Sequence, residues 1–69
     1  MTLSARNQIP ARVTGTTEGP ATTVVALGAG CIRLVASITT EAARELGLRE
    51  GSEVVAVIMA SDVMLAVNE

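Results

Sequence analysis

The sequence contains no histidine, no lysine and no aromatic residue, and its one cysteine is Cys31. Each absence removes a class of function. Without histidine there is no side chain that titrates near neutrality to act as a general base, and no plausible zinc set. A lone cysteine cannot close an intrachain disulfide, and the apolar sequence around Cys31 marks an inert thiol. Without rings, no nucleobase can stack on a side chain. The five basic residues are all arginines and face seven acids, a formal net charge of −2. That balance offers no basic face to displace counterions from nucleic acid. No apolar run is long enough to span a membrane: the run from Val54 to Ala60 is short, and Arg33 interrupts the stretch around it. The N-terminus has no charged-then-apolar export pattern, so a reduced thiol in the cytoplasm is expected.

What is present is apolar. Of 69 residues 49% are hydrophobic, and the mean hydropathy is +0.50. A chain of this size forms one domain, residues 1–69, with a small core, and buries only about 60% of the surface its unfolded form exposes. With no disulfide or metal to staple it, assembly with copies of itself is the simplest way to cover the excess apolar surface.

Alternation dominates the pattern. Ile9, Ala11 and Val13 alternate with Pro10, Arg12 and Thr14, the period of a half-buried strand, with Pro10 suited to an edge or strand start. Thr16-Thr17-Glu18-Gly19-Pro20 reads as a turn. A second strand runs from Ala21 to Leu27, and Gly28-Ala29-Gly30 reads as a three-residue hairpin connection. A third strand runs from Cys31 to about Ile38, with Arg33 solvated on its outer face. Thr39 and Thr40 then precede a short helix over Glu41–Leu46 that ends at Gly47, with Leu46 and Leu48 as its anchors. Glu53–Met59, the most apolar segment, reads as a central strand. Ala60-Ser61-Asp62 is a tight connection, and Val63–Val67 a last strand. All-β with one short helix after the third strand is the order of an OB-like five-stranded barrel.

Catalysis is hard to assemble from these residues. The acids read as solvated faces and turns, and the glycines match no phosphate-loop or dinucleotide pattern. Anion binding needs only donors. In extended backbone Ser4 and Arg6 share a face while Ala5 and Asn7 point the other way, so a hydroxyl and a guanidinium stand side by side with no carboxylate between them. The same residues also fit a frayed terminus with a solvated arginine. Thr39 and Thr40 place hydroxyls and backbone amides at the start of the helix, where they either bind an oxyanion or only cap it. Ser61 either closes its own turn or faces a ligand.

Three segments carry a family resemblance: Ser4-Ala5-Arg6-Asn7-Gln8, Glu45-Leu46-Gly47-Leu48, and Val57-Ile58-Met59-Ala60-Ser61-Asp62-Val63-Met64. In this order, over essentially the whole chain, they resemble the molbindins, small cytoplasmic molybdate-binding proteins made of a single Mop (TOBE-type) domain. The resemblance implies an OB-like barrel that exchanges strands into dimers, three dimers forming a homo-hexamer, with molybdate or tungstate held between subunits and no organic cofactor. It also implies oxyanion contacts from Ser4, Ala5 and Arg6, from Thr39 and Thr40, and from backbone amides at Ala60 and Ser61. A second site near the first hairpin would involve Asn7, Gly19 and Pro20. The chain departs from the pattern where many relatives carry a lysine and it has Met59, and where hydroxyls are common and it has Ala60 and Ala42. Pro20 removes an amide donor from the second site. These losses weaken the sites and leave Arg6 as the main positive charge.

The resulting reading is a non-enzymatic oxyanion-binding protein for storage or homeostasis, partnered by itself and a small oxyanion, not by nucleic acid or membrane. The alternative is a structural or protein-interaction module that keeps the assembly and has lost the ligand.

Overall fold

The computed structural model describes residues 6–68. Four strands follow in chain order: β1 (Asn7–Glu18), β2 (Thr22–Ala29), β3 (Ile32–Thr39) and β4 (Glu53–Ile58). One helix, α1 (Thr40–Leu46), lies between β3 and β4, and a 3-10 turn over Ala60–Asp62 follows β4. The sheet is antiparallel throughout, in the order β3-β2-β1-β4.

β1 organises the molecule. Its first half, from Asn7 to Arg12, pairs with β4, and its second half, from Arg12 to Glu18, pairs with β2. The register shifts between Val13 and Gly15, so Thr14 is the extra residue of a bulge. A bulge bends and twists a strand, and this one lets a single strand serve both halves of the sheet. The loop before β4 is tied to the bend: the Val13 amide donates to the Ser52 carbonyl at 2.9 Å, and the Gly51 amide to the Val13 carbonyl at 2.8 Å. Pro10, opposite Val55, lies where β1 has β4 on one side and no partner recorded on the other, a place where its missing N–H is tolerated.

Inward alternation builds the core from Val13, Val25 and Leu27, with Ala11, Leu34, Ala36, Ile38, Leu48, Val54 and Ala56 packed around them. The helix ends where its sequence implies and starts one residue earlier than expected, at Thr40, so that Thr39, of the two candidate threonines, is the cap. Thr39 Oγ1 accepts the Ala42 amide at 3.1 Å. Gly47 sits at φ 64°, with its amide bonded to Arg44 and that of Leu48 to Ala43, a paired C-terminal cap that requires a left-handed residue.

The structure corrects several expectations. β1 continues through Thr16–Glu18, because these residues find partners in Val25, Val24 and Thr23. The β2–β3 connection is two residues, Gly30 and Cys31, with Gly30 at φ 63°, and Cys31 is exposed there and not in an apolar setting. Ala43 and half-buried Leu48 anchor the helix, whereas Leu46 is 69% exposed. β4 is an edge strand and not a central one; its apolar outer row, Val55 and Val57, is left partly exposed. Residues 63–68 form no strand, since extended backbone without a ladder partner is not a sheet element. The described fold is therefore a mostly-β, four-stranded open sheet with one short helix, and no closed five-stranded barrel forms within the described chain. Among the described residues no helix is long and apolar enough to cross a membrane.

Candidate functional site

The expected oxyanion contacts fall into two groups at opposite ends of β1. Ser4 and Ala5 lie outside the described residues.

At the first end, Arg6 is exposed immediately before β1. The ladder pairs Asn7 with Ile58, the last residue of β4, and the Asn7 side-chain amide donates to the Ile58 carbonyl at 3.2 Å. That pairing places the Arg6 backbone beside the exit of β4 and the turn Ala60–Asp62. Within this turn the Asp62 amide bonds to the Met59 carbonyl at 2.9 Å and the Val63 amide to that of Ala60 at 3.3 Å. The amides of Ala60 and Ser61 have no partner among the described residues, as is usual for the first amides of a helical turn. The two ion pairs among the described residues are elsewhere. Arg12 pairs with Glu53 at 3.1 Å and Arg44 with Glu18 at 3.2 Å, both exposed and worth little. Arg6 has no ion pair among the described residues. A guanidinium carried on backbone beside two amides without partners among the described residues is the type of donor set that suits an anion.

At the other end, Thr39 closes β3 opposite Thr22 of β2. Its oxygen accepts from Ala42, which leaves its own proton for another acceptor. Thr40 does something different. It is 4% exposed, and its hydroxyl lies 2.6 Å from the Gly19 carbonyl and 2.9 Å from the Thr23 hydroxyl. A carbonyl only accepts, so the Thr40 proton goes to Gly19, and the second bond runs from Thr23 to Thr40. The Thr40 amide bonds to the Ala21 carbonyl at 3.0 Å. Both donors of Thr40 are thus engaged inside the chain, and Thr40 leaves the set of available ligand contacts. The first helical turn likewise offers fewer free amides than its sequence suggests, because those of Thr40 and Ala42 are bonded.

The second-site residues are not brought together in one chain. Asn7 is at the start of β1, whereas Gly19 and Pro20 follow its end. The Gly19 amide bonds to the Thr22 carbonyl at 2.9 Å, and Pro20 has no amide to offer. A residue that sequence reasoning passed over is Thr23, 2% exposed in the inward row of β2 with Val25 and Leu27. The signal was available: a hydroxyl on a core face needs a buried partner. Among the described residues no cluster of three or more His, Cys, Asp or Glu could hold a metal ion.

The apolar side carries a cavity of about 300 Å³. It lies between the two sheet edges and is lined by Leu34 and Ile38 of β3, Val54 and Ile58 of β4, and Val13 and Leu48.

Comparison with known proteins places the chain. The family model for the TOBE domain matches residues 3–65. The chain is 41% identical over 66 residues to molybdenum-pterin-binding protein 1 of Clostridium pasteurianum, spanning 94% of this chain and 97% of that protein. Among solved structures it is similar to a molybdate binding protein from Sporomusa ovata, with a TM-score of 0.92 and 27% identity over 96% of this chain and 98% of that one. It is also similar to MopII from Clostridium pasteurianum, with a TM-score of 0.89 and 36% identity over 96% and 100% of the two chains.

Proposed function

The chain belongs to the TOBE-domain family, in its Mop (molbindin) form, and on that premise we propose that it binds molybdate or tungstate between copies of itself, as a cytoplasmic store of the oxyanion. The observation that carries the reading is the separation of the two donor groups. Arg6 with the Ala60 and Ser61 amides lies at one end of a twelve-residue strand, and Thr39 lies near the other. Extended strand rises about 3.3 Å per residue, so roughly 40 Å of contour divides them. One chain cannot wrap both groups around one tetrahedral ion; two chains packed end to end can. Assembly then completes the site.

The same assembly accounts for the open sheet. β3 and β4 are both edges, an apolar cavity runs between them, and the segment after the 3-10 turn exposes Met64, Leu65 and Val67 by 92%, 93% and 83%. Exchange of residues 63–67 between two copies would supply the fifth strand, close the barrel and cover this surface. A trimer of such dimers gives the homo-hexamer.

The chemistry selects the ligand. Molybdate is a dianion at neutral pH with acceptors only, matched by guanidinium, hydroxyl and amide donors. Hydrogen phosphate also carries a proton, which a donor-only pocket leaves unpaired at a cost.

Native mass spectrometry with and without sodium molybdate tests the proposal: oxyanion adducts on an oligomer are expected, retained in equilibrium dialysis against excess phosphate. An oligomer with no adducts would favour the second reading, an assembly module without ligand. That reading draws on Met59, 59% exposed at the exit of β4, where many relatives carry a lysine.

A further inference from the structure

Thr23 and Thr40 are the two buried polar residues among those described. They form one chain of hydrogen bonds, from the Thr23 hydroxyl to the Thr40 hydroxyl to the Gly19 carbonyl. The Thr40 amide holds the same turn from the other side, at the Ala21 carbonyl. The turn is closed on itself by the Gly19 amide and the Thr22 carbonyl, and it is tight: a Cβ on Gly19 would sit 2.8 Å from the Thr22 carbonyl oxygen. The residue fixed by these bonds is the immediate neighbour of Thr39, whose hydroxyl proton is the donor left over at this end of β1.

A valine at position 23 would extend the apolar row of Val25 and Leu27 without the desolvation cost of a buried hydroxyl. The hydroxyl present there contributes a tie in its place: it donates to the Thr40 oxygen, whose own proton is already on Gly19, and so links β2 to the turn through Thr40.

We propose that Thr23 is a positioning residue for the oxyanion site, acting through Thr40 to fix the Gly19–Ala21 turn against Thr39 and so to set where the Thr39 hydroxyl points. The inference deepens the oxyanion reading above and rests on it. It needs no site at the N-terminus of α1, where the Thr40 and Ala42 amides are bonded within the chain; the ligand contact is the Thr39 side chain.

The test is calorimetric titration of the assembled protein with sodium molybdate, in three variants measured well below their unfolding temperatures. Thr23→Val keeps the shape and deletes the hydroxyl; Thr23→Ser keeps the hydroxyl and deletes the methyl. Val25→Ala destabilises the neighbouring core without touching the hydrogen-bond chain. Thr23→Val is expected to weaken binding about tenfold, the low end of the effect of groups that orient a ligand contact, with the oligomer intact by native mass spectrometry. Thr23→Ser and Val25→Ala are expected to bind within about twofold of the parent. Unchanged affinity in Thr23→Val, or an equal loss in Val25→Ala, would overturn the positioning role while leaving the oxyanion reading standing. A parent protein that does not take up molybdate would overturn both.

Discussion

Arg6 is the arginine proposed to charge the site, because it stands beside the exit of β4. Arg12 and Arg44 are matched by Glu53 and Glu18, Arg33 lies in β3 and Arg49 in the loop before β4, and no lysine exists to share the load. Hydrogen bonds to a charged group contribute about 1.5–3 kcal/mol, or roughly ten- to a hundredfold in affinity. Arg6→Ala is therefore expected to lose that much molybdate affinity by calorimetry and to leave the oligomer assembled; unchanged affinity would remove Arg6 from the site. Two glycines in and after β1 separate packing from conformational freedom. A Cβ at Gly19 meets the Thr22 carbonyl at 2.8 Å, whereas one at Gly15 meets nothing within 4 Å. Neither has a positive φ. Gly19→Ala is expected to destabilise by about 1–3 kcal/mol through overpacking. Gly15→Ala is expected to be neutral or to stabilise by about 0.4–1 kcal/mol by restricting the unfolded chain. Urea unfolding of both decides the matter.

At the level of elements, β1 and the segment after the 3-10 turn divide the work. The bulge at Thr14 turns one strand between two pairing partners, and the length of that strand keeps the two donor groups apart. The segment at 63–68 leaves Met64, Leu65 and Val67 almost fully exposed. Its proposed place between β3 and β4 of a second copy lies against the apolar cavity lined by Leu34, Ile38, Val54 and Ile58. Leu65→Asp would put an unpaired carboxylate there, at a cost of several kcal/mol. Light scattering behind size exclusion is expected to show that variant as dissociated or aggregated; an unchanged oligomer would place the segment elsewhere.

For the whole molecule, the number to set against the exposed apolar side chains is the core: four hydrophobic residues are buried among those described, Val13, Val25, Leu27 and Ala43. Such a core is thin for independent stability. Folding is therefore expected to be coupled to association, with a thermal midpoint that rises with protein concentration. Added molybdate is expected to raise stability further, by about 2.7 kcal/mol at a hundred times its dissociation constant. A midpoint independent of both concentration and molybdate would argue for a self-sufficient chain that does not bind the ion.

Local chemistry was decided by the sequence. Gly47 marks the end of α1 because a cap there depends on a left-handed residue, readable from the letters, and the start was readable to within the pair Thr39 and Thr40. The inward row of β1, Ile9, Ala11 and Val13, followed from alternation, which the pleat enforces. The family resemblance too was carried by short ordered motifs, including the Arg6 segment. What lay beyond reach depended on partners distant in the chain. Thr16–Glu18 carry turn-like residues but pair with β2, and Thr40 matches Thr39 in letter yet is buried with its proton fixed on Gly19. Val63–Val67 has the composition of a strand and no ladder partner among the described residues. Hydrogen-bond direction, edge position and the distance between the ends of β1 are properties of the packed sheet, so only the tertiary structure could separate the Thr40 hydroxyl, whose proton is engaged on Gly19, from that of Thr39, which accepts from Ala42.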